Sequence, residues 1–433
     1  MSDLHDPTSR HVVRDDETQL SSKHPWSSQE TSLGTRKRWP RIWPVLLILL
    51  FLLGGGIYAY AHFTMSGLPS PAGADGVANF TVGTHPIIVI NGASGAIHVH
   101  INSLDHVVTL RAVSVADSTD NTAIPYTRSS DGRTFTFDVS SFSNDALDLA
   151  VPTITDLQIT ATDGAIVING VSGQMVLSAS NAPIKIIGSS LDGTSSLNAD
   201  NAGLILNTVT FTGGANLVNG TGDVTVTNVK FHGPATLRSR GSITLVQDAF
   251  ENTATIDSSN NSLSLDTTTF AGAASLMVEN SGSITTTNTT FKSTGLLSGA
   301  HGVVSLTSTT FVGGATITGA DTFTTTQATF HAGATVTTAG AMNISAHFGT
   351  QGSYQFITTN SDIDLKLSSD LPFHLDASTN NGSITSDFST IRVTTDPTTH
   401  AAQAHGDVSQ GGDAPKLKFA LTTDNGAVRI HKT

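Results

Sequence analysis

The stretch from Phe211 to Phe250 reads FTGGANLVNGTGDVTVTNVKFHGPATLRSRGSITLVQDAF and contains two copies of one pattern. On both sides of it, a large apolar residue, usually phenylalanine, returns about every twenty residues. A fixed period of roughly 20 to 50 residues indicates an array in which each repeat is one supersecondary unit stacked on the next. The repeated positions, which we call the ladder, are Val171, Leu191, Phe211, Phe231, Phe250, Phe270, Phe291, Phe311, Phe330 and Phe348.

Each repeat has the pattern of short strands. In the first copy, Val224 and Val226 form an apolar pair spaced by two, which is strand spacing because successive side chains point to opposite faces. A Gly or Asn usually separates the strands, and these residue types enter the left-handed backbone region most cheaply. We therefore expect them to form a corner on every turn. The corner positions are Asn181, Asn201, Gly222, Gly241, Asn260, Asn280, Gly302 and Gly340.

These features predict an all-β fold, a single-stranded parallel β-helix (a β-solenoid, right-handed) with about twenty residues per coil. About four buried side chains stabilise one coil by ~6 to 12 kcal/mol. Ordering its twenty backbone residues costs ~20 to 40 kcal/mol, so the coils must stack. A propeller blade needs ~40 to 45 residues. Unrelated strands of a sandwich would not keep phenylalanine in phase.

The long apolar run from Val45 to Phe63 predicts one transmembrane helix, since nineteen residues just cross a bilayer core. Basic residues precede it and none follows closely, so the positive-inside rule places the N-terminus in the cytoplasm and the array outside. A cleaved signal peptide ending at Ala61 is the alternative, although the polar leader is long for one. The basic residues are Arg36, Lys37, Arg38 and Arg41.

The predicted organisation has five parts. The motif Ile90–Gly95 recurs as Ile168–Gly173, and between them we expect larger coils or a hairpin excursion. Toward the C-terminus, Lys416 and Lys418 flank an apolar Leu417 in a segment that we expect to cover the exposed strand edge. The expected parts are a disordered cytoplasmic tail 1–44, the membrane helix 45–63, a stalk 64–79, the solenoid 80–387 (irregular coils 80–165, regular coils 166–350), and terminal coils with a cap 388–433.

Charge and cysteine content exclude several functions. The chain carries a formal charge of −13, and its first 44 residues hold seven Lys or Arg and six Asp or Glu, which leaves −14 for the remainder. This charge repels nucleic acid and anionic headgroups, so we expect no nucleic acid partner. The chain has no cysteine, which excludes disulfides, thiolate metal sites and cysteine nucleophiles.

The stretch Leu147 to Gly173, LDLAVPTITDLQITATDGAIVINGVSG, is similar to a bacterial adhesin domain family of unknown function. The family ends in further glycine-turn strands, which correspond here to Asn380–Ile384 and Thr423–Val428. The resemblance covers about residues 80 to 433. It implies a β-solenoid and a location in the cell envelope, and it supplies no catalytic residue.

The sequence predicts no catalytic residue, cofactor or metal site. Glycan cleavage needs two or three converging carboxylates, and the repeat spreads the acids over different phases. Arg238 and Asp257 share one phase on adjacent coils, which favours a surface pair of low energy. His98 and His100 alternate on one strand and could supply two ligands of a metal site. A third ligand is not evident, so we interpret them as solvated histidines. The acids are Asp192, Asp223, Asp248, Glu251 and Asp257.

The leading hypothesis is a membrane-anchored extracytoplasmic solenoid that acts as a non-enzymatic adhesion or scaffold module, with a cell-surface glycan or protein as partner. One alternative is a polysaccharide-active β-helix lyase or hydrolase. Another is an extracytoplasmic sensor that signals to the cytoplasmic tail. Flat rows of exposed threonine would favour a repetitive partner surface, whereas a groove with acids would favour catalysis.

Overall fold

The computed structural model describes residues 77–113, 124–139, 145–409 and 415–433. These residues form 42 β-strands, and none of them belongs to a helix that could cross a bilayer. The predicted tail, membrane helix and most of the stalk lie outside the described residues. The described chain is an all-β parallel solenoid of about 10 turns with about 20 residues per coil. Its handedness stays a prediction.

The strands fall into three regions. The N-terminal region contains β1 Val77–Thr81, β2 Ile87–Ala93, β3 Ile97–Ile101, β4 Val107–Val113, β5 Tyr126–Arg128, β6 Thr134–Asp138, β7 Ala146–Val151, β8 Asp156–Ala161 and β9 Ile166–Asn169. The middle region contains β10 Met175–Ala179, β11 Ile184–Ile187, β12 Ser190–Leu191, β13 Ser195–Ala199, β14 Leu204–Asn207, β15 Thr210–Phe211, β16 Ala215–Asn219, β17 Val224–Thr227, β18 Lys230–Phe231, β19 Ala235–Ser239, β20 Ile243–Val246, β21 Ala249–Phe250, β22 Ala254–Ser258, β23 Leu263–Asp266, β24 Thr269–Phe270, β25 Ala274–Val278, β26 Ile284–Thr287, β27 Thr290–Phe291, β28 Gly295–Gly299, β29 Val303–Thr307, β30 Thr310–Phe311, β31 Ala315–Ala320, β32 Thr322–Phe330, β33 Ala334–Thr338 and β34 Met342–Phe348. The C-terminal region contains β35 Gly352–Thr358, β36 Ile363–Leu367, β37 Phe373–Thr379, β38 Ile384–Ser386, β39 Arg392–Thr395, β40 Ala402–Val408, β41 Leu417–Thr423 and β42 Val428–Lys432.

A middle coil is built from three strands on two sheets. A five-residue strand such as β16 lies in sheet 1, and a four-residue strand and a two-residue strand, such as β17 and β18, lie in sheet 2. Each strand pairs in parallel with its counterpart one coil away, so that Leu197, Leu217 and Leu237 stand in register. Equivalent side chains therefore form columns along the array.

The phenylalanine column fills the interior. Rings from Phe211 to Phe330 are at most 1% exposed, and successive centroids lie between 4.5 and 5.2 Å apart. Their planes are within 13° of parallel. This spacing follows the separation of paired strands, ~4.7 to 4.9 Å, because each ring stands on a short strand of sheet 2. Phe348 ends the column, half-buried and 6.0 Å from Phe330.

In seven middle coils a left-handed residue lies three positions before the ladder residue, in the bend between the two segments of sheet 2. The expectation that the Gly and Asn corners adopt this conformation is wrong for all of them except Asn280. At the corner positions glycine is required because space is limited: a Cβ on Gly222 would lie 2.2 Å from the carbonyl oxygen of Ala202 in the neighbouring coil. The left-handed bend residues are Thr208, Asn228, Gln247, Thr267, Asn288, Ser308 and Gln327.

In the N-terminal region, strand order departs from chain order. Strand β2 lies between β6 and β8, and β3 lies between β7 and β9. The first coil of the chain is therefore covered by a later one. Strand β4 pairs antiparallel with β1 and β7, and β5 pairs antiparallel with β6. The two copies of the Ile-Asn-Gly motif consequently lie on different sheets, at the ends of β2 and β9.

The C-terminal region has the corresponding arrangement. Strand β41 lies between β35 and β37, and β42 lies between β36 and β38. The segment 388–433, which was expected to form terminal coils and a cap, thus has two parts with different roles. Strands β39 and β40 pair antiparallel at the edge of sheet 1, next to β37, whereas the last two strands fill an interior coil. Leu417, expected in the cap, is completely buried there.

Candidate binding surface

Two rows of mostly hydroxyl side chains, interrupted by Val246 and Asp266 in the second row, cover the outer side of sheet 2 across six middle coils. They alternate along each strand with buried residues such as Val224 and Val226, and therefore point to solvent. We call these rows the hydroxyl face. The first row is Thr225, Thr244, Ser264, Thr285, Ser305 and Thr324. The second row is Thr227, Val246, Asp266, Thr287, Thr307 and Thr326.

The hydroxyl face has a regular geometry because its positions are set by strand pairing. Neighbours in a row are separated by one strand spacing, ~4.7 to 4.9 Å, and the two rows by two residues of strand, ~6.6 Å. Asp266 is the one charged residue in the two rows, and its carboxylate accepts a hydrogen bond from Thr267 at 2.9 Å. The surface therefore offers repeated hydroxyl and methyl groups with little charge.

The acids that the repeat contains make separate local contacts. Asp192 accepts from the Thr212 hydroxyl at 2.9 Å, and an oxygen of Asp223 accepts from the Ser242 N–H at 2.8 Å. Glu251 lies 2.7 Å from the ring of His232. These contacts leave no convergent carboxylate set among the five acids that the sequence singled out.

Arg238 and Asp257 are register partners on adjacent strands of sheet 1, as their shared phase predicts. The Oδ1 atom of Asp257 nevertheless has no hydrogen-bond partner. The predicted surface pair is therefore a pair of neighbours in the register, without a hydrogen bond to that carboxylate oxygen.

Asp248 is the buried acid of the middle coils. It is 2% exposed, one oxygen accepts from the Val229 N–H at 2.7 Å, and the other has no partner. Burial raises the pKa of Asp248 to about 7 because desolvation penalises the carboxylate. The side chain faces the interior, where a glycan has no access. The raised pKa of Asp248 therefore affects the stability of the fold and not the chemistry of its surface.

The corner asparagines hydrogen-bond to one another along the array. The Asn201 amide donates to Asn181 at 2.9 Å, and Asn181 donates to Asp163 at 2.8 Å. The Asn280 amide donates to Asn260 at 2.8 Å. These amides hydrogen-bond the stacked corners of neighbouring coils to one another.

His98 and His100 meet a carboxylate that the sequence did not identify. Asp148 lies 3.3 Å from a ring nitrogen of each. Hydrogen bonding to Asp148 raises the pKa of His100, and bonding to both histidines lowers the pKa of Asp148. The second ring nitrogen of His98 contacts Asn169 at 2.9 Å. The pairing of β3 with β7 breaks chain order, so periodicity could not have found Asp148.

A second histidine–aspartate group, missed by the sequence reasoning, lies at the C-terminal edge of sheet 1. It combines His374 and Asp376 of β37 with His405 and Asp407 of β40. The two His-x-Asp spacings, one on β37 and one on β40, are the signal that could have found it, since alternate residues share a face.

Comparison with known proteins identifies a family. No curated protein matches the chain. A solved structure described as a "putative cell adhesion protein from Clostridium sporogenes ATCC 15579" is 8% identical, with 82% of this chain and 99% of that chain covered, at a TM-score of 0.12. That score is too low to support an argument about fold or function. The family model Toastrack DUF4097 matches residues 79–431. Because this match covers nearly all of the described solenoid, the chain belongs to the Toastrack DUF4097 family.

Proposed function

We propose that the chain is a membrane-anchored extracytoplasmic solenoid that acts as a non-enzymatic adhesion or scaffold module of the cell envelope. The hydroxyl face is the observation that carries this proposal. Its hydroxyl groups repeat in two directions with little charge, which suits a broad or repetitive partner surface such as a cell-surface glycan or protein. A stacked solenoid also holds such a face rigid, because each strand is paired on both sides.

The distribution of acids supports a module without catalysis. Glycan hydrolysis needs two carboxylates on opposite sides of the scissile bond, ~5 to 9.5 Å apart. The singled-out acids of the middle coils instead contact local hydroxyl, amide and imidazole groups, or lie inside the array. The anchor rests on sequence alone, namely the apolar run 45–63 and its basic N-terminal flank.

The test places charge on the hydroxyl face and measures binding. Cells or a glycan array are probed with the wild type and with the double variant Thr285→Lys and Thr307→Lys, which puts two ammonium groups on sheet 2. The matched control, Thr316→Lys with Thr335→Lys, changes outward threonines of sheet 1. We expect the first variant to lose binding at least tenfold and the control to bind as the wild type does.

Two results would overturn the proposal. One is adhesion that is unchanged by removal of residues 77–433. The other is release of reducing ends from an acidic glycan that is abolished by changing a single carboxylate, which would establish the polysaccharide-active alternative. Protease treatment of intact cells tests the location separately: the solenoid is cut from the cell surface if it is outside, and protected if it is cytoplasmic.

A further inference from the structure

Strands β37 and β40 hold four ionisable side chains on one face at the C-terminal edge. In their antiparallel register His374 pairs with Asp407, and Asp376 pairs with His405. On each strand these positions alternate with buried residues such as Leu375 and Ala404, so all four polar side chains lie on the solvent side. Strand pairing thus fixes the positions of two imidazoles and two carboxylates.

The contacts inside this group converge on Asp376. Its Oδ2 lies 3.0 Å from Nε2 of His374, and its Oδ1 lies 2.6 Å from Nδ1 of His405. The other ring nitrogen of His374, Nδ1, lies 2.6 Å from Asp407. One ligand atom from each of His374, Asp376 and His405 can be chosen so that all three lie within 4.8 Å of one another.

His374 faces a carboxylate with each of its two ring nitrogens. A neutral imidazole carries one N–H, so when Nδ1–H donates to Asp407, the lone pair on Nε2 faces an oxygen of Asp376. The lone pair and the carboxylate oxygen repel each other, and a cation placed between them would be coordinated by both atoms. A carboxylate that holds the far nitrogen of a histidine is the usual partner of a metal-binding imidazole, because it fixes the tautomer and the ring orientation.

We propose that His374, Asp376 and His405 bind a divalent transition-metal ion of the zinc class, with Asp407 positioning His374. Imidazole nitrogen and carboxylate oxygen together suit zinc, whereas calcium and magnesium take mostly oxygen ligands. Three protein ligands leave a fourth tetrahedral position for water or for a ligand from a partner molecule. The site goes beyond the proposed adhesion function and does not depend on it.

The group at the other end of the solenoid lacks this arrangement. Asp148 offers the same oxygen to His98 and His100, at 3.3 Å each, and the second nitrogen of His98 is occupied by Asn169. His98 and His100 therefore provide a control with the same residue types. Two basic residues flank the proposed site: Lys418 is the register partner of His374, and Arg392 is that of His405. Both are exposed, and their charges weaken cation binding.

The experiment titrates zinc chloride into the full-length chain in detergent micelles, followed by calorimetry, with cobalt(II) absorption as a second readout of tetrahedral coordination. The wild type is expected to bind one ion that is lost in His405→Ala and in Asp376→Ala. Asp407→Asn is expected to weaken affinity ~10- to 100-fold, as changes behind a metal-binding histidine do. The double control His98→Ala with His100→Ala keeps the wild-type affinity, and Arg392→Ala with Lys418→Ala tightens it.

Three outcomes would overturn the proposal: no zinc binding by the wild type, binding unchanged in both His405→Ala and Asp376→Ala, or binding lost in the His98 and His100 control. His405 and Asp376 are 72% and 60% exposed, so these variants keep the fold, which unfolding curves without zinc verify.

Discussion

The middle coils and the two ends of this solenoid are all built from short β-strands, but their coils stack in different orders relative to the chain. In the middle, each coil stacks on the one that precedes it in the chain, and Phe231 lies directly over Phe211. At both ends, a coil from one part of the chain lies between two coils from another. A repetitive sequence therefore specifies the middle, and non-repetitive contacts specify the ends.

The difference also concerns chemistry. The outer side of sheet 2 in the middle coils is mostly threonine and serine, and its two rows hold one charged residue. The ends hold the histidine–aspartate groups of Asp148 and Asp376. Antiparallel strands cover both edges of sheet 1 and the N-terminal edge of sheet 2, where a bare parallel strand would pair with another molecule. The ends thus combine protection of the sheet edges with clustered histidine and aspartate side chains.

The largest effect is expected from removing strands, and it separates the two regions. Deleting residues 251–270 takes out one middle coil and rejoins Phe250 to Ala271 in phase, so we expect a folded solenoid that is shorter by one coil. Ending the chain at residue 409 removes a similar number of residues but takes an interior coil from the C-terminal end. We expect residues 352–408 to unfold and become sensitive to protease, as measured by limited proteolysis with mass spectrometry.

The opposite pattern would break the comparison. If the truncated chain protected residues 352–408 while the deletion of one middle coil unfolded the protein, then the order of strands at the end would contribute nothing to stability. Amide hydrogen exchange on both proteins locates the change.

A smaller but still large effect is expected from the phenylalanine column. Phe270→Ala leaves a cavity between two stacked rings and should lower the free energy of unfolding by ~3 to 5 kcal/mol. Phe270→Leu keeps most of the volume and should cost ~1.5 kcal/mol or less. Phe348→Ala should cost less than Phe270→Ala, because that ring is half-buried. Urea unfolding measures all three, and a loss for Phe270→Ala no larger than that for Phe348→Ala would contradict the burial of Phe270 inside the column.

The buried carboxyl of the middle coils predicts a pH dependence. The pKa of Asp248 is raised to about 7 from an ordinary 3.8, so between these values the folded state keeps a proton that the unfolded state has released. Stability should therefore fall as the pH rises from about 4 to 7, by up to ~4 kcal/mol at ~1.4 kcal/mol per pKa unit.

Asp248→Asn should remove this slope and raise the unfolding temperature at pH 8, with little change at pH 4. The exposed carboxylate of Asp200 provides the matched control Asp200→Asn, which should leave the slope in place. A wild-type stability that stays constant from pH 4 to 7 would show that Asp248 is not desolvated.

The smallest effect concerns the N-terminal histidine–aspartate group. Bonding to Asp148 raises the pKa of His100, so its contribution is complete below an ordinary histidine pKa and is lost as the pH rises through the raised value. Asp148→Asn should lower the pKa of His100 in an NMR titration and cost no more than ~1 kcal/mol, since these side chains are about one-third exposed. An unchanged pKa of His100 would contradict the pairing of β3 with β7.

Sequence reasoning could find the parts of this fold that repeat. The period of Phe211 to Phe330 predicts the length of the coil, because each coil buries equivalent side chains. The spacing of Val224 and Val226 predicts which side of the strand is buried. The insertion of β41 has no period and depends on contacts across dozens of residues. Asp148 faces such an inserted strand, so its histidine neighbours could not be read from spacing. The His-x-Asp spacings that contain Asp376 and His405 indicate which residues share a face, but not that β37 and β40 pair. The left-handed bend was missed because Thr, Gln and Ser occupy positions where Gly or Asn is expected.

Engineered disulfides test the central claim most directly, since the natural chain has no cysteine. Thr422 of β41 is the register partner of both Ile357 and Ser378. Paired strands lie ~4.7 to 4.9 Å apart, within disulfide reach, whereas strands two apart lie at about 9.6 Å, beyond it. The account predicts that cysteine pairs at 357 and 422 and at 378 and 422 cross-link in the full-length chain, and that a pair at 357 and 378 does not. Cross-linking of 357 with 378, without either of the others, would show coils stacked in chain order and contradict it.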